Sequence, residues 1–226
     1  MKAIASRGST LEYLTVFPDN YDTEAAYPMI ICLHGFGADM RDLGGLAPAI
    51  DQMGYLYVCP NAPLTVPIGP GFTGRAWYEP GGHVNPAAVE RALTALDTLI
   101  GEVLDQYRVP AGQVLLLGFS QGGAMTYRYG LPRPHRFTGL VILSGALRNA
   151  EALLSQLPAP RKQNVFVAHG TEDPLVPIEW SREAVAFLEA QGYQPRYREY
   201  PMGHEISFAV LEDLTPWIHT VLPPRD

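Results

Sequence analysis

Residues 113–130 read QVLLLGFSQGGAMTYRYG, and this stretch decides the fold. The apolar run at residues 114–117 is typical of a strand that is buried on both faces of a parallel sheet. Residues 118–122 then match Gly-x-Ser-x-Gly, and the residues that follow can begin a helix. Flanking glycines are required where a strand turns sharply into a helix, because side chains would clash beside the turn residue. The pattern therefore predicts that Ser120 lies on a strand-to-helix turn.

A serine on such a turn is a candidate nucleophile. Its hydroxyl would project above the carboxyl edge of the sheet, and the helix behind it would supply free N–H groups and a partial positive charge. That setting suits a reaction in which an oxyanion develops. The alternative is a plain turn, since Gly-x-Ser-x-Gly alone is a weak signal. The strand before Ser120 and the helix after it favour the nucleophile.

The composition indicates one compact globular domain over residues 1–226. Hydrophobic residues make up 47% and charged residues 17%, and α/β folds of about 200 to 250 residues are common as single domains. A net charge of −7 without a Lys/Arg cluster argues against nucleic acid and anionic membranes as partners. No run approaches the ~18 apolar residues of a membrane span, and the N-terminus lacks the apolar region of a secretory signal. We therefore expect a cytoplasmic protein without stable membrane insertion.

Two cysteines cannot make a disulfide framework in a chain of this size. Cys32 and Cys59 both lie in apolar, strand-like runs, and we expect reduced thiols in the core. A bridge is the alternative if their two strands are neighbours.

Strands and a long loop are predicted before Ser120. Residues 11–17 alternate apolar and polar positions, which indicates an edge strand, and residues 28–33 and 55–59 read as buried strands with an irregular helix between them. Residues 60–82 are rich in proline and glycine, which predicts a loop without regular structure over the active site. Its apolar side chains, Phe72 and Trp77 among them, either line a pocket for an acyl chain or brace the loop against the body.

Helices and strands alternate after residue 84. Asn85-Pro86 is a good helix start, and an apolar face at helical spacing follows it. Further strands are predicted at residues 138–143, 164–168 and 195–200. The last helix is expected over residues 206–222, with a break near Thr215-Pro216.

The acid and the base of a catalytic triad are predicted in two loops that follow strands. Residues 169–177 come after a strand, at the edge where active-site residues of open parallel sheets lie. Asp173 is favoured as the acid because Pro174 fixes the backbone beside it, although Glu172 and a simple turn role stay open. Of six histidines, His204 alone lies in a short loop that follows both a strand and the acid. His169 is expected to hold loop backbone rather than to move protons.

The order Ser120, Asp173, His204 is the one associated with α/β-hydrolases. A second N–H donor for an oxyanion would come from the loop after residues 28–33. The Phe36 N–H is the candidate, with a glycine on either side of it to let the backbone approach. The alternative for this loop is a turn that only ends the strand.

These motifs together resemble the phospholipase/carboxylesterase family, which includes acyl-protein thioesterases. The matching segments are LHGFGAD at 33–39, GFSQGG at 118–123, HGTEDPLVP at 169–177 and GH at 203–204. The resemblance runs over nearly the whole chain. It implies an α/β-hydrolase fold, a mostly parallel central sheet with helices on both faces. It also implies a triad of Ser120, Asp173 and His204, with the N–H groups of Phe36 and Gln121 as oxyanion hole.

The implied function is cleavage of carboxylic esters through an acyl-enzyme, without a metal or organic cofactor. The substrate would be a small-molecule ester or thioester with a small or medium acyl chain, lysophospholipids included. The candidate substrate-binding residues are Phe72, Trp77, Leu175 and Val176. An acyl-protein thioesterase is the alternative within the enzyme class, and a binding protein on a hydrolase scaffold is the alternative outside it. The sequence carries no signal for the oligomeric state.

Overall fold

The computed structural model describes residues 1–79 and 85–225. The chain divides into two compact units. The first unit comprises Met1–Pro110 and Pro224–Asp226, and the second comprises Ala111–Pro223. One domain over residues 1–226 stays a prediction of the sequence.

The first unit is built on a four-stranded arrangement of β1 (Lys2–Arg7), β2 (Glu12–Phe17), β3 (Met29–Leu33) and β4 (Leu56–Pro60). β2 pairs antiparallel with β1 and with β4, and β4 pairs parallel with β3. The prediction that residues 11–17 form a strand is confirmed, but the prediction of an edge strand is wrong because β1 pairs along the outer side. Nearly all residues of β1 are exposed, so its sequence carries no apolar pattern that would announce a strand.

Every residue of β3 and β4 is buried, as the apolar runs predict. Cys32 and Cys59 lie on these neighbouring strands, and both are buried free thiols. Burial of side chains on both strands forms the core of this unit.

The helical segments of the first unit follow the sequence signals. A 3-10 turn (Leu43–Leu46) and a short α1 (Ala47–Ile50) take the place of the predicted irregular helix. α2 spans Pro86–Gln106, and the Asn85 side chain accepts a hydrogen bond from the Ala87 N–H at 3.0 Å. This N-cap confirms the predicted start of the helix.

The predicted irregular loop at residues 60–82 contains a hairpin, so that prediction is wrong for most of its length. β5 (Leu64–Gly69) pairs antiparallel with β6 (Phe72–Ala76), with a register shift between Pro67 and Gly69. Proline and glycine suggested a loop, yet a two-stranded ribbon consists of two edge strands, where proline is tolerated. Gly71, with φ of 77°, makes the bend. Residues 80–82 of the predicted loop lie outside the described residues.

The second unit contains four parallel strands in the order β7 (Val114–Phe119), β8 (Gly139–Leu143), β9 (Asn164–Gly170) and β10 (Arg196–Tyr200). The intervening α-helices are α3 (Gln121–Gly130) and α4 (Ile178–Ala190), and α5 (Phe208–Val221) follows β10. A 3-10 helix, Ala150–Gln156, lies between β8 and β9. The alternation of strand and helix is the predicted one.

The break that we expect near Pro216 does not occur, because α5 continues through this residue. Proline lies well inside the helix, where it removes one backbone donor. The buried side chains of α5 include Leu214, Trp217 and Ile218, which flank the proline and tie this part of the helix to the core.

Gly74 on β6 offers a test of how closely the hairpin packs in the first unit. The Gly37 N–H donates to Arg75 O at 2.8 Å, and the Arg75 N–H donates to Ala38 O at 2.9 Å. A Cβ atom at Gly74 would lie 1.9 Å from Gly37 O. Gly74→Ala is therefore expected to lower the free energy of unfolding by about 1–3 kcal/mol, measured by chemical denaturation. Gly45→Ala is the control, since its Cβ would meet no atom within 4 Å. Equal stability of the two variants would contradict the close packing.

Candidate active site

Ser120 lies on a strained turn between β7 and α3. Its backbone has φ of 55° and ψ of −116°, a conformation that residues other than glycine adopt rarely. The Ser120 N–H donates to Leu143 O at 2.8 Å, and Ser120 O accepts from the Ala124 N–H at 3.1 Å. Backbone bonds on both sides therefore hold the turn, and the predicted strand-to-helix turn is confirmed.

Close backbone approaches require Gly118 of the motif and Gly123, which follows the motif directly. A Cβ atom at Gly118 would lie 2.2 Å from Gly122 O, and one at Gly123 would lie 3.0 Å from the Cα atom of Gly145. Larger residues at these positions would push α3 away from the strands. The sequence pattern thus reflects a steric requirement of the turn at Ser120.

Asp173 is buried and surrounded by hydrogen-bond donors. Its Oδ1 accepts from the N–H groups of Leu175 and Val176, each at 2.9 Å, and its Oδ2 lies 2.6 Å from His204 Nδ1. Burial acts to raise the pKa of this carboxyl, but the hydrogen bonds from Val176, His204 and Leu175 outweigh it and the net pKa is lowered. Asp173 is therefore a carboxylate at neutral pH. The neighbouring Glu172, the alternative acid, is exposed.

His204 is oriented by this carboxylate and by an aromatic neighbour. A carboxylate only accepts hydrogen bonds, so we assign the ring proton to Nδ1, which leaves Nε2 as a proton acceptor. The ring is 12% exposed and packs on the ring of Phe119, with 4.7 Å between centroids. Phe119 directly precedes Ser120. The structure thus brings the predicted acid and base into contact, beside the residue that adjoins the predicted nucleophile.

The loops that carry Asp173 and His204 are joined through their backbones. The Thr171 N–H donates to Tyr200 O at 2.8 Å, and the Glu172 N–H donates to Met202 O at 3.1 Å. A Cβ atom at Gly170 would lie 2.3 Å from Met202 O, so glycine is needed where the loops meet. Gly170 at the end of β9 therefore allows the loops that carry the acid and the base to approach closely.

The predicted oxyanion-hole residues lie one in each unit. In the first unit, Phe36 follows β3, and among the described residues its N–H makes no hydrogen bond. In the second unit, Gln121 begins α3.

His34 holds the backbone of the Phe36 loop. Its Nε2 accepts from the Ala62 N–H at 3.0 Å, so its Nδ1 carries the proton and donates to Gly35 O at 2.7 Å. Burial lowers the pKa of His34, which keeps the ring neutral. Gly37, with φ of 81°, completes the turn. The loop that carries the Phe36 N–H is thus held by the His34 hydrogen bonds before it and by the turn at Gly37 after it.

The four predicted substrate-binding residues have different surroundings. Phe72 and Leu175 are each 70% exposed, and Val176 is partly exposed. Trp77 is completely buried, and its Nε1–H donates to His34 O at 3.0 Å. The Trp77 ring also packs on the His34 ring, with 5.7 Å between centroids. These contacts favour the brace over the pocket, the two roles that the sequence left open for Trp77.

The sequence pattern did not reveal the surroundings of His169. Its expected role as a support for loop backbone agrees with the 2.8 Å contact between Nε2 and Val176 O. The ring also lies against Asp173 and against Ser181. Ser181 occupies the buried face of α4. A polar residue among the apolar positions of a helix was the one available signal of a buried polar network.

Two general features of the described residues bear on the chemistry. In residues 1–79 and 85–225, no group of three or more His, Cys, Asp or Glu side chains is arranged so that it could hold a metal ion. No helix in the same ranges has the length and apolar character needed to cross a membrane.

Comparisons with known proteins show the family of this chain. A family model described as Phospholipase/Carboxylesterase matches residues 21–222. Acyl-protein thioesterase 1 of Kluyveromyces lactis is 26% identical over 215 residues, which cover 88% of this chain and 94% of that protein. Carboxylesterase SOBER1 of Arabidopsis thaliana is 28% identical over 172 residues, 72% of this chain and 75% of that protein.

A solved structure extends the likeness to the fold. The crystal structure of esterase PE8 has a TM-score of 0.80 at 25% sequence identity. The match covers 98% of this chain and 100% of the esterase chain. This likeness confirms the predicted α/β-hydrolase fold with a mostly parallel sheet. Because the family model spans most of the sequence, the chain belongs to the phospholipase/carboxylesterase family.

Proposed function

We propose that this protein is a serine hydrolase that cleaves carboxylic esters through an acyl-enzyme on Ser120. The observation that carries the proposal is the 2.6 Å contact between Asp173 Oδ2 and His204 Nδ1. The ring that it orients packs on Phe119, next to a serine held at positive φ. Relatives named carboxylesterase and acyl-protein thioesterase support the same class of reaction.

The proposed first step is acylation of Ser120. His204 Nε2 takes the Ser120 proton as Oγ attacks the carbonyl carbon, and the buried Asp173 carboxylate stabilises the imidazolium that forms. His204 then returns the proton to the leaving alcohol or thiol. A water molecule, deprotonated by the same ring, attacks the acyl-enzyme, and His204 returns that proton to Ser120 Oγ as the carboxylic acid leaves. Asp173 stays ionised throughout.

The tetrahedral oxyanion needs hydrogen-bond donors during both steps. The N–H groups of Phe36 and Gln121 are the proposed donors, and each such donor contributes about 3 kcal/mol in comparable enzymes. Support comes from the fixed Phe36 loop, from the position of Gln121 at a helix start and from the shared family.

The proposed substrates are small-molecule esters with small or medium acyl chains, lysophospholipids included. Phe72, Leu175 and Val176 are proposed as contacts for the acyl chain, because each offers apolar surface to solvent. A thioester is the second candidate, favoured by several relatives named acyl-protein thioesterase 1. A cytoplasmic location stays a prediction of the sequence.

Replacing the nucleophile tests the reaction class. Ser120→Ala is expected to lower kcat for p-nitrophenyl esters by about 10³-fold or more, because the acyl-enzyme cannot form. The assay uses a series from acetate to decanoate and a matched acyl thioester, and medium chains should react faster than acetate. Ser144→Ala is the control, since Ser144 also follows a strand at positive φ and its buried hydroxyl has no hydrogen-bond partner among the described residues.

Two outcomes of that assay would count against the proposal. Retention of most of the activity by Ser120→Ala would remove Ser120 as nucleophile. A strict preference for acetate would show that Phe72 and Leu175 do not contact an extended acyl chain.

A pair of neighbouring carboxylates tests the identity of the acid. Asp173→Asn is expected to lower kcat by about 10³- to 10⁴-fold, because an amide can donate to His204 Nδ1 and favour the wrong tautomer. Glu172→Gln removes an exposed carboxylate one residue away and should leave kcat within about twofold. Steady-state kinetics on one ester measures both variants. A larger loss in Glu172→Gln than in Asp173→Asn would reverse the assignment.

A further inference from the structure

His169 is a second histidine beside the carboxylate of the proposed triad. It is the residue before the last in β9, and its side chain is completely buried. The ring Nε2 lies 2.8 Å from Val176 O and 3.3 Å from Asp173 Oδ2, while Nδ1 lies 2.6 Å from Ser181 Oγ. Both nitrogens of this ring therefore have defined partners.

These partners determine where the proton of His169 lies. A carbonyl oxygen and a carboxylate only accept hydrogen bonds, so Nε2 must carry the proton. Nδ1 is then an acceptor, and the Ser181 hydroxyl donates to it at 2.6 Å rather than to Gly145 O at 3.3 Å. Ser181 thus selects the tautomer of His169 that presents an N–H to the acid loop.

The Asp173 carboxylate consequently faces donors on every side. Oδ1 accepts two backbone N–H groups, and Oδ2 accepts from His204 Nδ1 and lies within reach of the His169 N–H. Three of these contacts are hydrogen bonds to the carboxylate. The fourth is the 3.3 Å approach of His169 Nε2, whose own hydrogen bond goes to Val176 O.

We propose that His169 is a positioning residue that sets the orientation and the effective basicity of the Asp173–His204 pair. Its N–H donates to Val176 O, and its Nε2 lies 3.3 Å from Asp173 Oδ2, so the ring ties the acid loop to β9. It also draws negative charge away from the oxygen that faces His204. Removing this donor concentrates charge on that oxygen, which stabilises the His204 imidazolium and moves the acidic limb of the pH profile to higher pH. The inference rests on the proposed function.

The other charged groups beside His169 form an ion pair with each other. Glu199 lies opposite His169 in the register of β10 and β9. Its carboxylate binds Arg182 of α4 through two contacts of 2.8 Å and accepts from the Tyr197 hydroxyl at 2.9 Å. The Arg182 guanidinium is the main reason that the pKa of Glu199 is lowered to about 2.

Two substitutions at position 169 separate the donor from simple packing. His169→Gln places an amide N–H near the position of the ring Nε2, whereas His169→Asn reaches only the position of Nδ1. His169→Asn is expected to lower kcat by about 10- to 100-fold with little change in KM, since misplaced catalytic groups affect the chemical step. Its acidic limb in kcat/KM should move up by about half a pH unit. His169→Gln should keep the wild-type limb and most of kcat.

A spectroscopic measurement tests the same point without relying on turnover. The proton on His204 Nδ1 should give a low-field resonance in the proton NMR spectrum of the wild-type protein, and His204→Asn should abolish it. His169→Asn is expected to shift this resonance, because the acceptor oxygen loses the neighbouring N–H of His169, whose Nε2 lies 3.3 Å away. His169→Gln should leave it close to the wild-type position.

Each outcome decides for or against the inference. A folded His169→Asn variant with wild-type kcat, pH limb and resonance would overturn it. If His169→Asn does not fold, Ser181→Ala is the second variant. It removes the hydroxyl that bonds to His169 Nδ1, so the ring stays in place but its tautomer is no longer fixed. Ser181→Ala should shift the limb and the resonance in the same direction by a smaller amount, and no shift would overturn the inference. Ester turnover that survives Ser120→Ala would overturn the proposed function alone, since the resonance does not depend on Ser120.

Discussion

The backbone conformation of Ser120 is the constraint on which the proposed site depends. A residue with a side chain at φ of 55° costs about 1–3 kcal/mol relative to relaxed backbone and persists only where its surroundings determine it. The hydrogen bond from the Ser120 N–H to Leu143 O holds this conformation in place. Glycines nearby let the neighbouring backbone segments come close enough to support it. The strain has a chemical use, because the turn places a hydroxyl at a helix start instead of within a strand.

The second requirement is a buried carboxylate that stays charged. Burial opposes the charge on Asp173, and the donors around it more than offset that opposition. Since the folded-state pKa lies below the ordinary value of about 3.9, ionisation of Asp173 stabilises the folded protein above that pH, and the contribution is lost as pH falls through the lowered pKa. The donors that keep Asp173 ionised stabilise the fold. The ionised carboxylate in turn holds His204 in one tautomer, which can accept a proton at Nε2.

The sequence predicted those parts of the fold and site that depend on local chemistry. The turn at Ser120 could be read because glycine is sterically required there, and the start of α2 because Asn85 caps it. The order of acid and histidine narrowed the candidates to Asp173 and His204, but only the fold could show that Glu172 points to solvent.

What the sequence missed depends on pairing and on long-range packing. β1 is exposed and its sequence carries no apolar pattern. The prolines and glycines of β5 and β6 indicated an irregular loop instead of a hairpin. α5 continues through Pro216 because tertiary packing outweighs the local preference. The contact between His169 and Asp173 arises from the bend of one loop, for which no periodicity exists. These features are set by neighbours that are distant along the chain or by the exact path of a turn.

The central claim is that Ser120 is a hydroxyl made nucleophilic by His204 and Asp173. The most direct measurement is covalent labelling with a fluorophosphonate, followed by digestion and mass spectrometry of the peptides. The account predicts one equivalent of label, located on Ser120, at a rate that falls sharply when His204 is replaced. A folded protein that takes up no label, or that carries it on another residue, would contradict the account and favour a binding protein on a hydrolase scaffold.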